Sequence, residues 1–267
     1  MENPLLRIRI SANYPNRASV LHDLSLSIGR GEILGLVGES GCGKSTLSLA
    51  ILGLLGLKGG RVHGTIELNG RNLTLLRERE MRKLRGKELA LVLQSPMSAL
   101  NPALRIGTQL AEAWNVHAAG SAEECTTAIT EALGNVSLPP ERTFLRRYPS
   151  QISVGQAQRV LIAMAILHHP PLLIADEPTS ALDLITQSEI LELFSDLSRK
   201  LGMSVLYISH DLLSVAKISH RVAVMEKGAI VECQPTAEIF HKASHPYTRQ
   251  LIAALPIIPR TFAAAAR

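Results

Sequence analysis

The sequence predicts an α/β fold: a core of buried strands and helices, an antiparallel β-subdomain beside it and a helical subdomain inserted into its middle. Three observations carry this. The apolar run Ile33-Leu34-Gly35-Leu36-Val37 leads directly into Gly38-Glu39-Ser40-Gly41-Cys42-Gly43-Lys44-Ser45-Thr46, which fits G-x-x-x-x-G-K-[ST]. Stretches of alternating apolar and polar residues flank that run, as half-buried antiparallel strands do. From Pro96 to about His169 the pattern is helical with no strand, and buried strands resume after it.

Composition sets the limits. The chain has 267 residues, 46% of them hydrophobic and 19% charged, enough for a substantial core in one large domain. No stretch approaches 18 uncharged apolar residues, and Glu2 and Asn3 before any apolar run do not read as a secretion signal, so the chain is expected to stay in the cytosol. Cys42, Cys125 and Cys233 are too scattered for a disulfide framework or a metal knuckle and read as reduced thiols. A net charge of +5 permits an anionic partner or a membrane surface without choosing between them.

In chain order, Leu6 to Ile10 alternates like a half-buried strand, and Tyr14 follows it. An aromatic at that spacing before the loop can stack on an adenine ring; ordinary packing is the alternative. Leu24 to Ile28 alternates again, and Gly29-Arg30-Gly31 turns it into the loop strand. In the loop, Gly38, Gly41 and Gly43 let backbone approach polyphosphate, Lys44 supplies a point charge, and the Ser45 hydroxyl is a natural Mg²⁺ ligand at the start of a helix. Thr65 to Leu68 then runs into Asn69-Gly70 as a strand and hairpin turn. Residues 77 to 88 read as a solvated, charged helix face, and Leu89 to Leu93 as a buried strand ending in Gln94. A Gln at that end reaches either the Mg²⁺ or the attacking water, or is a polar strand cap.

Candidate helices in the inserted part are Ile106 to His117, Ala122 to Leu133 and Gly155 to Leu167. The turn Ser150-Gln151-Ile152-Ser153-Val154-Gly155-Gln156 before the last one is a second anion site by helix-terminus logic. Leu172 to Ala175 is a buried strand ending in Asp176 and Glu177. Beside a phosphate loop, the first carboxylate suits Mg²⁺ and the second an attacking water, a generic acidic turn being the alternative. Ser180 to Asp183 opens a helix expected from Leu184 to Leu201, and the strand Ser204 to Ser209 ends at His210, where an imidazole can contact a γ-phosphate.

These motifs, in this order, resemble the ATPase subunits of ABC transporters over residues 5 to 255. Gly38 to Thr46 matches the Walker A loop, Gln94 the Q-loop, Ile152 to Gln156 the LSGGQ signature, Leu173 to Glu177 Walker B, Ser180 to Asp183 the D-loop and His210 the switch histidine; Tyr14 falls at the adenine-stacking aromatic. Ser95 to Pro102, Tyr148-Pro149 and His245-Pro246-Tyr247-Thr248 with Leu251 to Pro256 resemble the dipeptide, oligopeptide and nickel importer subgroup. The chain departs from the pattern at Ile152 and Val154, where the family has Leu and Gly. Its tail, without a cysteine-bearing extension, is more like that of nickel or metallophore importers.

The resemblance implies a P-loop ATPase domain over 1–257, with the helical subdomain at about 96–169, a subgroup tail at about 236–257 and a disordered tail at 258–267. It implies ATP and Mg²⁺ as ligands. Glu39, Ser40, Cys42 and Thr46 line the nucleotide with the loop glycines, Ser45, Gln94 and Asp176 face the metal, and Glu177, His210 and Gln94 serve catalysis. Ser153, Gly155 and Gln156 serve the ATP held by a second ATPase subunit, in a head-to-tail pair. Further partners are two transmembrane permease subunits and a separate substrate-binding protein, with no nucleic acid, on the cytoplasmic face of the membrane. If the turn at Val154 needs a glycine-only backbone, the partner's site closes poorly and an asymmetric heterodimer is expected. A tolerated conformation is the other reading. An ABC ATPase of DNA repair or translation is the alternative function, and its coiled coils, tandem cassettes or zinc modules are not found in this sequence.

Overall fold

The computed structural model describes residues 4–15, 17–118 and 120–255. Pro256 and the expected tail at 258–267 lie outside them. The chain forms two compact units, one made of the residues up to Glu78 together with those from Ser204 on, the other of Arg79–Met203.

The first unit opens with the antiparallel strands β1 (Leu6–Tyr14) and β2 (Arg17–Ile28). In β1 the alternation Leu6, Ile8, Ile10, Ala12 puts every second side chain inside. Both strands run longer than the expected Leu6–Ile10 and Leu24–Ile28, because a hairpin at Tyr14↔Arg17 continues their ladder. Strand β3 (Ile33–Val37) is buried at all five positions, and helix α1 (Lys44–Ile51) follows the glycine loop. β4 (Arg61–Leu68) pairs with β1, and Asn69 and Gly70, both at positive φ, turn it into the short β5 (Arg71–Asn72). This sheet has the order β2-β1-β4-β5.

The expected charged helix, α2 (Glu78–Leu84), has all but its first residue in the second unit and buries Met81 and Leu84. β6 (Leu89–Val92) follows. Next come the short α3 (Pro96–Ala99), then α4 (Ile106–Asn115), α5 (Ala122–Asn135), α6 (Arg142–Leu145) and α7 (Val154–Ile166). Their inner faces bury Leu110, Trp114, Leu133, Phe144 and Ile162. The buried Gln109 side chain holds the turn after α3, accepting from Asn101 N–H at 2.8 Å and donating to the carbonyls of Asn101 and Leu104 at 3.1 Å. β7 (Leu172–Asp176) lies parallel to β6 in the register Val92↔Ala175. α8 (Leu184–Leu201) has the expected limits, with Asp183 as its N-cap and Gly202 in the left-handed conformation as its C-cap.

The chain returns to the first unit with β8 (Ser204–Ser209), α9 (Leu212–Ile218), β9 (Arg221–Glu226), β10 (Ala229–Pro235), α10 (Thr236–Ile239) and α11 (Pro246–Ala253). β3 is flanked on both edges by parallel strands, β8 and β9, and β10 closes antiparallel on β9. A central parallel strand covered on both faces reads as a continuous apolar run, which is why β3 has no alternation.

Candidate functional site

The first unit supplies the glycine loop. Gly38 leaves β3 beside the Met225 carbonyl, which a Cβ at 38 would strike. Gly41 has φ +83° with open space where its Cβ would stand, and Gly43 has φ +117° with Leu21 and Met225 both 2.8 Å from that point. Only glycine fits these positions without strain. Gly43 is also the N-cap of α1, and no side chain caps the helix there, whereas α5, α7, α8 and α9 are each capped by Ser or Asp. The first-turn N–H groups of α1 take no side-chain acceptor, as is also true of α4, and they lie at the positive end of the helix dipole, where an anion is favoured. Lys44, only 6% exposed, folds back over the loop and donates to the carbonyls of Gly38 at 2.7 Å and Glu39 at 3.0 Å. Ser45 and the loop residues Glu39 and Ser40 are exposed, and Thr46 is half-buried. Burial pushes the Cys42 thiol up, against the pull of Lys44, so it stays protonated at neutral pH. A polyphosphate fits this cradle.

His210 is exposed and follows Ser209, which pairs with Val37 in the parallel β3–β8 register. Its place is therefore the same strand edge as Gly38. Tyr14 lies half-buried at the end of β1, its ring 3.1 Å from the position a Cβ would take on Gly60, so the structure places it in contact with the turn after α1.

The second unit carries the remaining candidates. Gln94 is exposed two residues beyond Val92, and Asp176 directly follows Ala175, its register partner, so Gln94, Asp176 and Glu177 share one end of the β6–β7 pair. Glu177 sits at φ +50°, and its carbonyl accepts from the N–H and hydroxyl of Ser180 at 3.3 and 3.1 Å. A left-handed glutamate before a proline is a strained backbone, the kind that surrounding structure holds at working sites. Nothing in the local sequence announces it.

The signature turn opens α7. Ser153 is its N-cap, accepting from Gln156 N–H at 3.2 Å, while the Gln156 side chain accepts from Ser153 N–H at 3.1 Å. Val154 is the first helical residue, and its φ is not positive. Of the two readings of this position, the backbone favours the tolerated one: helical geometry is open to valine, and only side-chain bulk, 40% exposed, distinguishes it from glycine. Gly155 does need its size, since a Cβ there would come within 2.7 Å of the Thr186 methyl. Asp183 caps α8 through Ile185 N–H at 3.1 Å and Thr186 N–H at 3.0 Å, and takes the Thr186 hydroxyl at 2.7 Å. These donors, Thr186 foremost, hold its carboxyl below the usual aspartate value.

Sequence comparison gives these motifs a common origin. A family model described as ABC transporter matches residues 21–180. The chain belongs to the ABC transporter family. A second model, the oligopeptide/dipeptide transporter C-terminal region, matches residues 231–264. The dipeptide transport ATP-binding protein DppD of Escherichia coli is 44% identical over 87% of this chain and 71% of its own length. The glutathione import ATP-binding protein GsiA of the same species is 43% identical over 90% of this chain, which spans only 40% of that longer protein. Among solved structures, cbiO1 from Clostridium perfringens, described as part of the ABC transporter complex cbiONQ, superposes with a TM-score of 0.79 at 25% identity, covering 96% of this chain and 97% of its own. The ATP-binding cassette MJ0796, in a dimeric post-hydrolysis state with ADP and Pi, gives 0.74 at 26% identity over 86% and 98%. This ABC chain is an ATPase of the importer type, in the peptide-importer subgroup. The repair or translation alternative is not favoured, and nickel transport has no support among these relatives.

Proposed function

We propose that this ATPase drives uptake of short peptides or peptide-like compounds, with metal chelates as the second cargo class. The observation that carries the reading is the peptide-transporter match over residues 231–264, joined to likeness to dipeptide and glutathione import proteins. The proposed assembly pairs the chain with a second, related ATPase subunit, two permease subunits in the membrane and a separate substrate-binding protein, and contains no nucleic acid. The chain lies on the cytoplasmic face. In support, no helix among the described residues is long and apolar enough to cross a membrane. The domain is read as 1–257, with helical insert and subgroup tail as expected from the sequence.

In this mechanism Lys44 and the uncapped start of α1 bind the β- and γ-phosphates of ATP. Ser45, Asp176 and Gln94 are the groups that would hold Mg²⁺, which when bound neutralises phosphate charge. Glu177 accepts a proton from the attacking water, and His210 donates to the γ-phosphate. Ser153, Gly155 and Gln156 serve the nucleotide of the partner ATPase, and Tyr14 stacks on adenine. Co-purification with two multi-span membrane proteins, followed by ATP-dependent uptake of a labelled dipeptide into vesicles, tests the reading. Glu177→Gln in that complex is expected to retain ATP and to cut turnover roughly 10²-fold or more. Normal turnover in that variant removes Glu177 from its role, and recovery with ribosomes or DNA instead of permeases overturns the transport assembly.

A further inference from the structure

The motif His245-Pro246-Tyr247-Thr248 marks the subgroup, yet no step above uses it. The structure gives it a contact. The Tyr247 hydroxyl accepts a hydrogen bond from the backbone N–H of Glu39, the second residue of the phosphate loop, at 3.0 Å. That N–H belongs to the same peptide unit as the Gly38 carbonyl, which takes the Lys44 ammonium at 2.7 Å. A peptide is planar, so fixing the direction of its N–H fixes the direction of its C=O. Gly38 on one side of this plane would otherwise give it wide rotational freedom. Tyr247 and Lys44 therefore clamp one plane from opposite edges, and each hydrogen bond polarises the peptide in favour of the other.

The tyrosine is itself held. Its ring is buried, and its own N–H donates to His245 Nδ1, which caps α11, at 3.3 Å. The buried Glu232 carboxylate on β10 gathers the N–H and hydroxyl of Ser244 at 2.8 and 3.1 Å and the N–H of His245 at 3.2 Å, and Arg249 donates to the Ser244 carbonyl at 3.1 Å. A chain of contacts thus runs from β10 through the start of α11 to the phosphate loop, all within the first unit.

We propose that Tyr247 is a positioning residue for ATP binding, acting through the Gly38–Glu39 peptide to hold Lys44 ready for phosphate, so that the peptide-importer C-terminal region is a working part of the nucleotide site. The proposal rests on the phosphate-loop reading. Removing one neutral hydrogen bond to a loop that must be ordered for ligand corresponds to about a three- to tenfold loss of ATP affinity. Tyr247→Phe keeps the ring and deletes the acceptor. In the full chain it is expected to raise the Kd for ATP by that factor and speed hydrogen exchange at the Glu39 amide, and in the assembled transporter to raise KM with kcat within about twofold. Glu232→Gln, which loosens the start of α11 without touching the ring, is expected to shift affinity in the same direction by less, and serves if Tyr247→Phe folds poorly. Lys44→Ala is the control. Unchanged affinity in both Tyr247→Phe and Glu232→Gln, with Lys44→Ala weakened, overturns the positioning role. Unchanged affinity in Lys44→Ala overturns the phosphate-loop reading instead.

Discussion

Gly41→Ala and Gly43→Ala are both single-methyl changes in the phosphate loop, and the structure assigns them different costs. At Gly43 the added Cβ falls 2.8 Å from both Leu21 Cδ2 and Met225 Cε, with φ +117°. An alanine held in that backbone region costs about 1–3 kcal/mol, and forcing a methyl against two packed side chains costs about 1–3 more. The sum, about 2–6 kcal/mol, is a large share of a domain stability of about 5–15 kcal/mol. At Gly41 the Cβ meets nothing within 4 Å and φ is +83°, so only backbone strain of about 1–2 kcal/mol applies. That methyl enters open space over the loop and is expected to obstruct polyphosphate. The assay is urea unfolding followed by circular dichroism, beside equilibrium titration with ATP. Gly43→Ala is expected to lower the unfolding midpoint well below that of Gly41→Ala, while Gly41→Ala loses ATP affinity with most of its stability kept. Equal midpoints for the two variants would refute the packing argument at Gly43.

Two other outcomes follow from the same structure. Val154→Gly is expected to change the ATPase rate of the assembled complex by less than about twofold, since the residue sits in ordinary helical backbone; a severalfold rise would show that valine bulk does restrict the partner's site. Burial alone would raise the Glu232 carboxyl, but the Thr248 hydroxyl, with the donors of Ser244 and His245, outweighs it and holds it below the usual glutamate value. Its contribution is thus fully present above the ordinary glutamate pKa and is lost as pH falls through the depressed one. Melting curves should find Glu232→Gln less stable than the parent at pH 7, with the gap closing as the pH is lowered through and below the usual carboxylate range. A gap that persists in strong acid would deny Glu232 that role.

Elements whose identity is written in short-range pattern were legible. β3, β8 and α8 have the limits their apolar runs and caps predict, and the glycine loop is specified by its own residues. The hairpin extensions of β1 and β2 were not, because their register depends on pairing across the turn and not on alternation. β9 and β10 are likewise joined by Lys227-Gly228, both at positive φ, a turn that leaves little mark on the sequence when the first residue is a lysine. Candidate site residues stood out where a motif fixed them, as with Lys44 or Asp176. Two features had no local signal: the left-handed Glu177, which the rule for residues preceding proline argues against, and the contact of the Tyr247 hydroxyl in α11 with Glu39 of the phosphate loop, 208 residues earlier.

The position of β3 has a consequence for how the protein is made. The strand that delivers the phosphate loop takes both of its ladder neighbours, β8 and β9, from chain beyond the inserted second unit. The Gly31 N–H, at the turn into β3, reaches its acceptor on Ser204 across 173 residues. At translation rates of about 5–20 residues per second, roughly 9 to 35 s pass between synthesis of these two positions. Throughout that interval a wholly apolar strand has two open edges and no partner from its own sheet, the situation in which nascent chains pair wrongly or recruit a chaperone.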